Sequence, residues 1–299
     1  MAGYPIVGNK INVTSSSTGF LNTLFGTSNS TGTVRVSEFS LDMSGGEIDV
    51  TGALSAGVAG RAHISGLKEA TATVVGFYPK TITSGPAATT PRLGNSSLIT
   101  YNSSPLKWLT KYSLTFDFGS PQDITTATGS ALLWRTWMPA GVYKVTGSYT
   151  LLHPSDAVLA MPPDTNAKGV ATTFKLTEDG TNDPNFAGSI IIPRGPRFTG
   201  KAEGGRVEAV YDFVGDGGFT SLAGDTLPAL FGPGDGSTAI GQPEWNAGGD
   251  GTPDIPVVFT AYTSRTYTAP CFLTKLMVDV EPGTAIKVTS TIQIAGAIS

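Results

Sequence analysis

The sequence predicts a mainly β protein, and three features of its composition and patterning support this fold class. Of 299 residues, 40 are Thr, 38 are Gly and 20 are Pro, which favours β-rich structure with frequent turns. Hydrophobic residues make up 39% and charged residues only 14%, so the chain has enough apolar side chains for a core. Many short segments alternate apolar and polar residues, as strands with one buried face do.

The length allows one large β domain or two ordinary ones, with one or two short helices and long arms or loops. The best helix candidates are residues 154–161 and 221–232, because each has a spaced apolar pattern beside a capping or stop signal. The predicted divisions are an N-terminal arm (1–32), the first copy of a first half-domain (33–105), its second copy (106–160), a second half-domain (161–218), a loop with a short helix (219–256) and the second copy of the second half-domain (257–299).

The first half-domain begins with a predicted hairpin. The segments TVRVSEFSLDMS and EIDVTGA flank the dipeptide Gly45-Gly46, and two alternating segments around such a dipeptide are typical of two strands and a turn. A second turn is predicted at Ser65-Gly66, before a strand that ends at Tyr78. Glu47 and Asp49 then share a polar face of their strand, opposite Ile48 and Val50.

The same pattern returns at a shift of 74 or 75 residues, which indicates an internal duplication. The matched positions are Asp49-Val50-Thr51 with Asp123-Ile124-Thr125, Arg61 with Arg135, Gly66 with Gly141, and Phe39-Ser40-Leu41 near Tyr112-Ser113-Leu114. A weaker match in the second half of the chain aligns Glu203, Gly205 and Gly215 with Glu281, Gly283 and Gly296. The two copies are then either nested or exchange strands, and the sequence leaves both open.

The chemistry-bearing residues do not form a recognisable catalytic motif. There are two His residues, and Cys271 is the only cysteine, while the Asp-Gly loops have turn chemistry and lack the spacing of a calcium loop. The net charge of −4 and pI near 5.2 disfavour tight binding to nucleic acid. We therefore expect no enzyme activity, no cofactor and no metal. Without a signal peptide or a long apolar run, we expect synthesis in a cytoplasm and no membrane partner.

Two motifs in the first half-domain resemble the signature of the major tail tube protein of long-tailed (siphovirus-like) bacteriophages. The first is Ile48-Asp49-Val50-Thr51, and the second combines His63-Ile64 with Gly66-Leu67, Glu69 and Thr71. The copy fits more loosely, at Asp123-Ile124-Thr125 and Trp137–Gly141. The second half-domain is similar to that family's closing half.

This resemblance implies two tail-tube-like β-sandwich or barrel domains, with long arms or loops that reach other subunits. It also implies a virion protein made in the host bacterium, whose domains join edge to edge in six-fold rings that stack into a tail tube. The partners it implies are further copies of the chain, other tail proteins at the tube ends, and DNA that passes transiently through the lumen. With a duplicated domain, three chains would complete one ring. Acidic lumen strands would repel phosphate, and the candidate lumen residues are Glu38, Asp42, Glu47, Asp49, Asp117 and Asp123.

Two other functions fit the same composition. A trimeric capsid decoration protein, or another virion structural protein, would share the low charge and the single cysteine. A carbohydrate-binding or receptor-binding β module would use aromatic side chains, for which the sequence offers Trp108, Trp134, Trp137 and Trp245. Because three of these tryptophans lie in or beside predicted strands, packing in the core is the simpler expectation for them.

Overall fold

The structure of the protein is a computed structural model, which describes residues 12–15, 25–27, 30–31, 34–49, 63–78, 93–94, 97–125, 134–140, 144–153, 168–176, 185–200, 206–222, 255–262 and 265–299. The strands are β1 (Asn12–Ser15), β2 (Gly26–Thr27), β3 (Ser30–Thr31), β4 (Arg35–Asp49), β5 (His63–Phe77), β6 (Leu98–Tyr101), β7 (Ser104–Pro105), β8 (Leu109–Asp117), β9 (Gln122–Asp123), β10 (Trp137–Met138), β11 (Lys144–Leu152), β12 (Val170–Lys175), β13 (Asn185–Ile191), β14 (Arg197–Thr199), β15 (Glu208–Leu222), β16 (Pro256–Tyr262), β17 (Arg265–Val280) and β18 (Lys287–Ile294).

One large antiparallel sheet organises the described part of the chain, which confirms the predicted mainly β class. It contains 14 strands, and its main path runs β4-β5-β18-β17-β8-β11-β15-β13-β12-β6-β7. On the side branches, β16 pairs with β17 and β1, and β14 pairs with β15. The remaining short strands form two separate pairs, β2 with β3 and β9 with β10.

The path contains the same arrangement of strands twice. In what we call the outer unit, the order is β4-β5-β18-β17-β16-β1. In the inner unit, the order is β8-β11-β15-β13-β12-β6, and β14 continues the line of β13 along β15. Every corresponding pair is antiparallel. The inner unit lies between the two halves of the outer unit in the chain, so the arrangement is nested. The exact domain boundaries predicted from the sequence stay a prediction.

The first two strands of each unit pair in the same register, and both pairs contain a bulge at the equivalent position. Between β4 and β5 the register shifts at Ser37, whose hydroxyl donates to the Val75 carbonyl at 3.0 Å. Between β8 and β11 it shifts at Thr110, whose hydroxyl donates to the Thr150 carbonyl at 3.1 Å. A bulge adds one unpaired residue and increases the local twist, so both hairpins twist at the same point. By this register Phe39 corresponds to Tyr112.

Each unit folds into two layers around an aromatic core. Phe39 on β4 packs against Phe259 on β16, with ring centroids 5.6 Å apart and an interplanar angle of 49°. The equivalent rings of the inner unit, Tyr112 and Phe174, lie 5.8 Å apart at 48°. The fifth strand of each unit therefore lies across the face of the first. Burying each such side chain contributes about 1.5–3 kcal/mol to folding.

The structure corrects two predicted turns. Gly45 and Gly46 lie inside β4, and Ser65 and Gly66 lie inside β5, so each segment is one continuous strand. The register shifts between Gly45 and Glu47, and the backbones approach closely there, because a Cβ on Gly66 would meet the Gly46 carbonyl oxygen at 3.0 Å. The glycines permit a bulge at which the two strands approach closely. Because glycine is also typical of turns, the sequence alone does not distinguish the two structures.

The N-terminal segment also differs from the predicted arm. Residues 12–15 form β1, which pairs with β16, and the Val13 side chain is fully buried. Residues 98–101, which the sequence places at the end of the first half-domain, form β6 and pair with β12 of the inner unit. The first helix candidate lies outside the described residues. Of the second, only Ser221 and Leu222 are described, and they end β15.

The two equivalent aromatic sites predict matched losses of stability. Phe174→Ala and Phe259→Ala are each expected to lower the free energy of unfolding by about 3–5 kcal/mol, because each removes a fully buried ring. Phe198→Ala is the control, since this ring is exposed, and its expected change is within about 0.5 kcal/mol. Urea denaturation of dilute protein measures all three. Core variants no less stable than the control would contradict this packing.

Candidate functional site

The main surface feature is a layer that crosses both units, which we call the joined layer. It runs β4-β5-β18-β17-β8-β11-β15 and ends at β13 and β14. Buried and part-exposed residues alternate along its strands, so one face covers the core. The other face, which we call the polar face, carries mainly Thr, Ser and charged side chains, among them Glu38, Ser40, Asp42, Thr71, Thr73, Ser113, Thr115, Asp117, Lys144, Ser148, Asp212, Lys275, Asp279, Thr289 and Thr291.

Three of the predicted lumen acids lie on this polar face. Glu38 and Asp42 are exposed on β4, and Asp117 is exposed at the end of β8. In register, Asp117 lies directly opposite Lys144 on one side and Lys275 on the other. Opposite charges at such cross-strand positions attract. The described part of the polar face therefore carries lysines as well as the predicted acids, and so both signs of charge.

The other three predicted acids lie at the far ends of the hairpins. Glu47 and Asp49 are at the end of β4, and Asp49 pairs with His63 in register; their side chains are outside the described part. Asp123 on β9 accepts hydrogen bonds from the Thr125 hydroxyl at 2.6 Å and from its backbone N–H at 2.9 Å. These bonds, helped by Arg135 at 3.3 Å, lower the pKa of the Asp123 carboxyl. Asp123 thus stabilises a local turn.

The residues of the repeat signature are structural where they are described. Asp123 pairs with Trp137 in the inner unit as Asp49 pairs with His63 in the outer unit. Ile48 pairs with Ile64, and the Ile124 N–H donates to the Thr136 carbonyl at 2.9 Å. Gly283 has φ of +83° in the turn between β17 and β18, a conformation that favours glycine. Five other residues of the repeat signature lie outside the described residues: Val50, Thr51, Arg61, Gly141 and Gly205.

The two units meet where β17 pairs with β8, a contact that we call the internal junction. Six residue pairs, from Lys275–Asp117 to Val280–Tyr112, join the strands antiparallel, and the Phe118 N–H donates to the Thr274 carbonyl at 2.8 Å. On the core side, the junction buries four apolar side chains completely or nearly so, Leu276, Val278, Leu114 and Phe116. The junction is therefore a full sheet contact with its own share of the core.

A second contact links β5 of the outer unit to the segment just before β10. The Arg135 N–H donates to the Lys68 carbonyl at 2.8 Å, and the Lys68 ammonium lies 5.8 Å from the centre of the Trp134 ring. The Arg135 guanidinium also approaches Glu69, at 3.8 Å. The end of the inner hairpin thus rests on β5 of the outer unit, and a cation over an aromatic ring adds about 0.5–1 kcal/mol at an exposed site.

The two outer edges of the joined layer are open among the described strands. β4 pairs only with β5, and β14 pairs only with β15. Each edge carries one large apolar side chain that is 56% exposed, Met43 on β4 and Phe198 on β14. Arg197 on β14 forms an exposed ion pair with Asp212 at 3.2 Å. Open edges with apolar side chains are typical of surfaces that bind another chain.

Sequence reasoning did not find the residues of these edges or the lysines beside Asp117. Phe198 lies on a three-residue strand without an alternating pattern, and cross-strand partners such as Lys275 are distant in the chain. The alignment of Phe39 with Tyr112 makes Met43 the residue equivalent to Phe116 in the other copy. Phe116 is buried and Met43 is exposed, so the two equivalent strands differ in what covers them.

Two kinds of reactive group, metal ligands and the cysteine thiol, have the following surroundings among the described residues. No three of their His, Cys, Asp or Glu side chains are grouped so that they could hold a metal ion. The Cys271 thiol is fully buried, and burial raises its pKa, so it is a poor nucleophile. No helix in this part of the chain is long and apolar enough to cross a membrane. No protein-family model matches the chain, and no curated protein matches its sequence.

One acidic side chain at the internal junction, that of Asp279, is partly buried, which disfavours its ionised form. Asp279 on β17 faces Ser113 on β8 and Lys287 on β18. Burial raises the pKa of the Asp279 carboxyl, and Lys287 lowers it in part. Since the pKa in the folded state is raised, the ionised carboxylate costs stability at neutral pH, and that cost disappears as the pH falls through the raised pKa.

We therefore expect Asp279→Asn to melt at the same or a higher temperature than the native protein at pH 7. The advantage should shrink as the pH is lowered toward about 4, where carboxyl groups become protonated. Lys287→Gln is the paired variant, and it should melt lower than the native protein at pH 7 because it removes the only opposing charge named above. Thermal unfolding followed by circular dichroism across this range measures both. A large loss in Asp279→Asn at pH 7 would contradict the assignment.

Proposed function

We propose that the protein is a structural virion protein that polymerises into stacked rings and forms the tail tube of a long-tailed bacteriophage. The observation that carries this proposal is the internal junction. Two equivalent units in one chain are already joined edge to edge into one layer. A ring of such units needs the same contact repeated around its circumference. The motif resemblance supports the same assignment.

The edges of the chain suit closure into a ring. The joined layer begins with β4 of the outer unit and ends with β14 of the inner unit, so among the described strands there are two different open edges. Contact between unlike surfaces generates a ring when the rotation closes. Three chains would supply six units, which equals the six-fold ring implied by the resemblance.

The polar face suits a lumen through which DNA passes. Its cations lie beside acids, as Lys144 and Lys275 do beside Asp117, and Lys287 does beside Asp279. A lysine that already faces a carboxylate attracts phosphate less, and the Thr and Ser side chains between them carry no charge. In this proposal DNA is a transient partner, the lasting partners are copies of the chain and proteins at the tube ends, and the protein has no catalytic role and no cofactor.

A capsid decoration protein remains the alternative that uses the same edges. Three chains closed into one ring would form such a trimer if the rings did not stack. The carbohydrate-binding alternative has one observation in its favour, because the Trp108 side chain is 57% exposed, contrary to the expected core position. Among the described tryptophans this one exposed ring is a small platform, since Trp134 and Trp137 lie near Lys68 and Arg135 instead. Trp245 lies outside the described residues.

Negative-stain electron microscopy of the purified protein tests the proposal. We expect rings or tubes with a central channel, and native mass measurement of the isolated rings should give three chains. Compact trimers that do not stack and that bind capsids would support the decoration protein. Monomers at every concentration and salt condition would overturn the proposed function.

A further inference from the structure

The internal junction specifies how two separate copies of the chain would pair, because its two strands have counterparts on the open edges. Val75 pairs with Thr289 in the outer unit, and its equivalent Thr150 pairs with Val210 in the inner unit. Thr289 in turn faces Met277 on β17, and Val210 faces Arg197 on β14. Arg197 therefore occupies the position of Met277.

The same comparison places β4 in the position of β8. Val74 pairs with Phe39, and its equivalent Tyr149 pairs with Tyr112. Counting from Phe39, Asp42 takes the position of Thr115. At the internal junction Met277 pairs with Thr115, so the equivalent pair between copies is Arg197 with Asp42. The next pairs along the strands are Phe198 with Leu41 and Thr199 with Ser40.

We propose that β14 of one copy pairs antiparallel with β4 of a second copy in this register, with Arg197 opposite Asp42. The partner is thus another molecule of the same chain, joined head to tail. This inference rests on the proposed function, and it adds which strands meet and in which register.

The side chains on the two edges complement each other in this register. On the polar face, Arg197 would lie opposite Asp42, a pair of opposite charges like Lys275 and Asp117 at the internal junction. On the core face, the exposed Phe198 stands in the position of Val278. Val278 is 1% exposed at the internal junction, whereas Phe198 is 56% exposed on its open edge.

The second exposed apolar side chain, that of Met43, also corresponds to a residue that is buried at the internal junction. Met43 stands in the position of Phe116, which the internal junction buries completely, and Met43 itself is 56% exposed. Covering both side chains with one contact removes apolar surface from water and pairs backbone groups that have no strand partner among the described residues. Each open edge therefore resembles one of the two strands that pair at the internal junction.

Disulfide trapping tests the register directly. In the double variant Ser40→Cys/Thr199→Cys, the new cysteines would face each other across the contact at a Cα distance of about 4.5–5.5 Å, which a disulfide spans. Native Cys271 is buried and does not interfere. After mild oxidation, we expect the 30.8 kDa band to be replaced on non-reducing gels by covalent species of two and three chains.

Two controls separate this register from other contacts. In Asp42→Cys/Thr199→Cys the cysteines would be two residues out of register, about 7 Å further along the strand, and we expect loss of the covalent species. In Ser40→Cys alone, head-to-tail pairing leaves no partner cysteine, so a covalent dimer would reveal β4 paired with itself. Equal trapping in the out-of-register variant, or that dimer, would overturn the inference.

Charge reversal gives an independent test of the same pair. Asp42→Arg should abolish rings in electron micrographs, and the double variant Asp42→Arg/Arg197→Asp should restore them in part, because Arg197→Asp also replaces the ion pair of Arg197 with Asp212 by two neighbouring carboxylates. Glu38→Arg is the matched control, because it lies on the same strand and face but beyond the paired segment, and it should assemble normally. If rings form while trapping fails and Asp42→Arg still assembles, this register is wrong and the proposed function stands. If no variant or native protein forms rings, both fail.

Discussion

The architecture of this molecule is governed by the need to cover the edges of its sheet. Backbone N–H and C=O groups at an edge strand have no partner of their own, and an edge with apolar side chains pairs readily with another strand. Within the chain, the pairing of β17 with β8 covers one edge of each unit. The layer that results has one face on the core and a polar face opposite it, and it still ends in two edges.

The nested order of the units explains how one chain builds this contact. Because the inner unit lies within the outer one, the outer unit closes only when β16, β17 and β18 return to β5. β17 then pairs with β16 along its first part and with β8 along its last part. Its side chains belong to both units, which makes this strand the main link between them. A substitution that disturbs β17 is therefore expected to disturb the whole core.

The class of fold and part of the repeat could be predicted from the sequence. The features that could not be predicted have physical causes. Period-two alternation reveals strands such as β8, and the order of residues around Phe39 and Tyr112 reveals a repeat, because both signals are local. The dipeptide Gly45-Gly46 predicts a turn but forms a bulge within β4, because bulges and turns use the same residue type. The alignment of Gly215 with Gly296 is also displaced, because by strand register Gly215 corresponds to Ile294; the intervening segments differ in length. Cross-strand neighbours such as Lys275 depend on long-range pairing that no local pattern records.

Amide hydrogen exchange, compared between assembled and dissociated protein, shows whether copies of the chain join as the two units do. We expect amides of β17 and β8 at the internal junction to exchange slowly in both states. Amides on the outer edges of β4 and β14 should exchange rapidly in the dissociated protein and slowly in the assembly. If exchange at residues 39–44 and 197–200 is the same in both states while other segments become protected, the copies join elsewhere and the account is wrong.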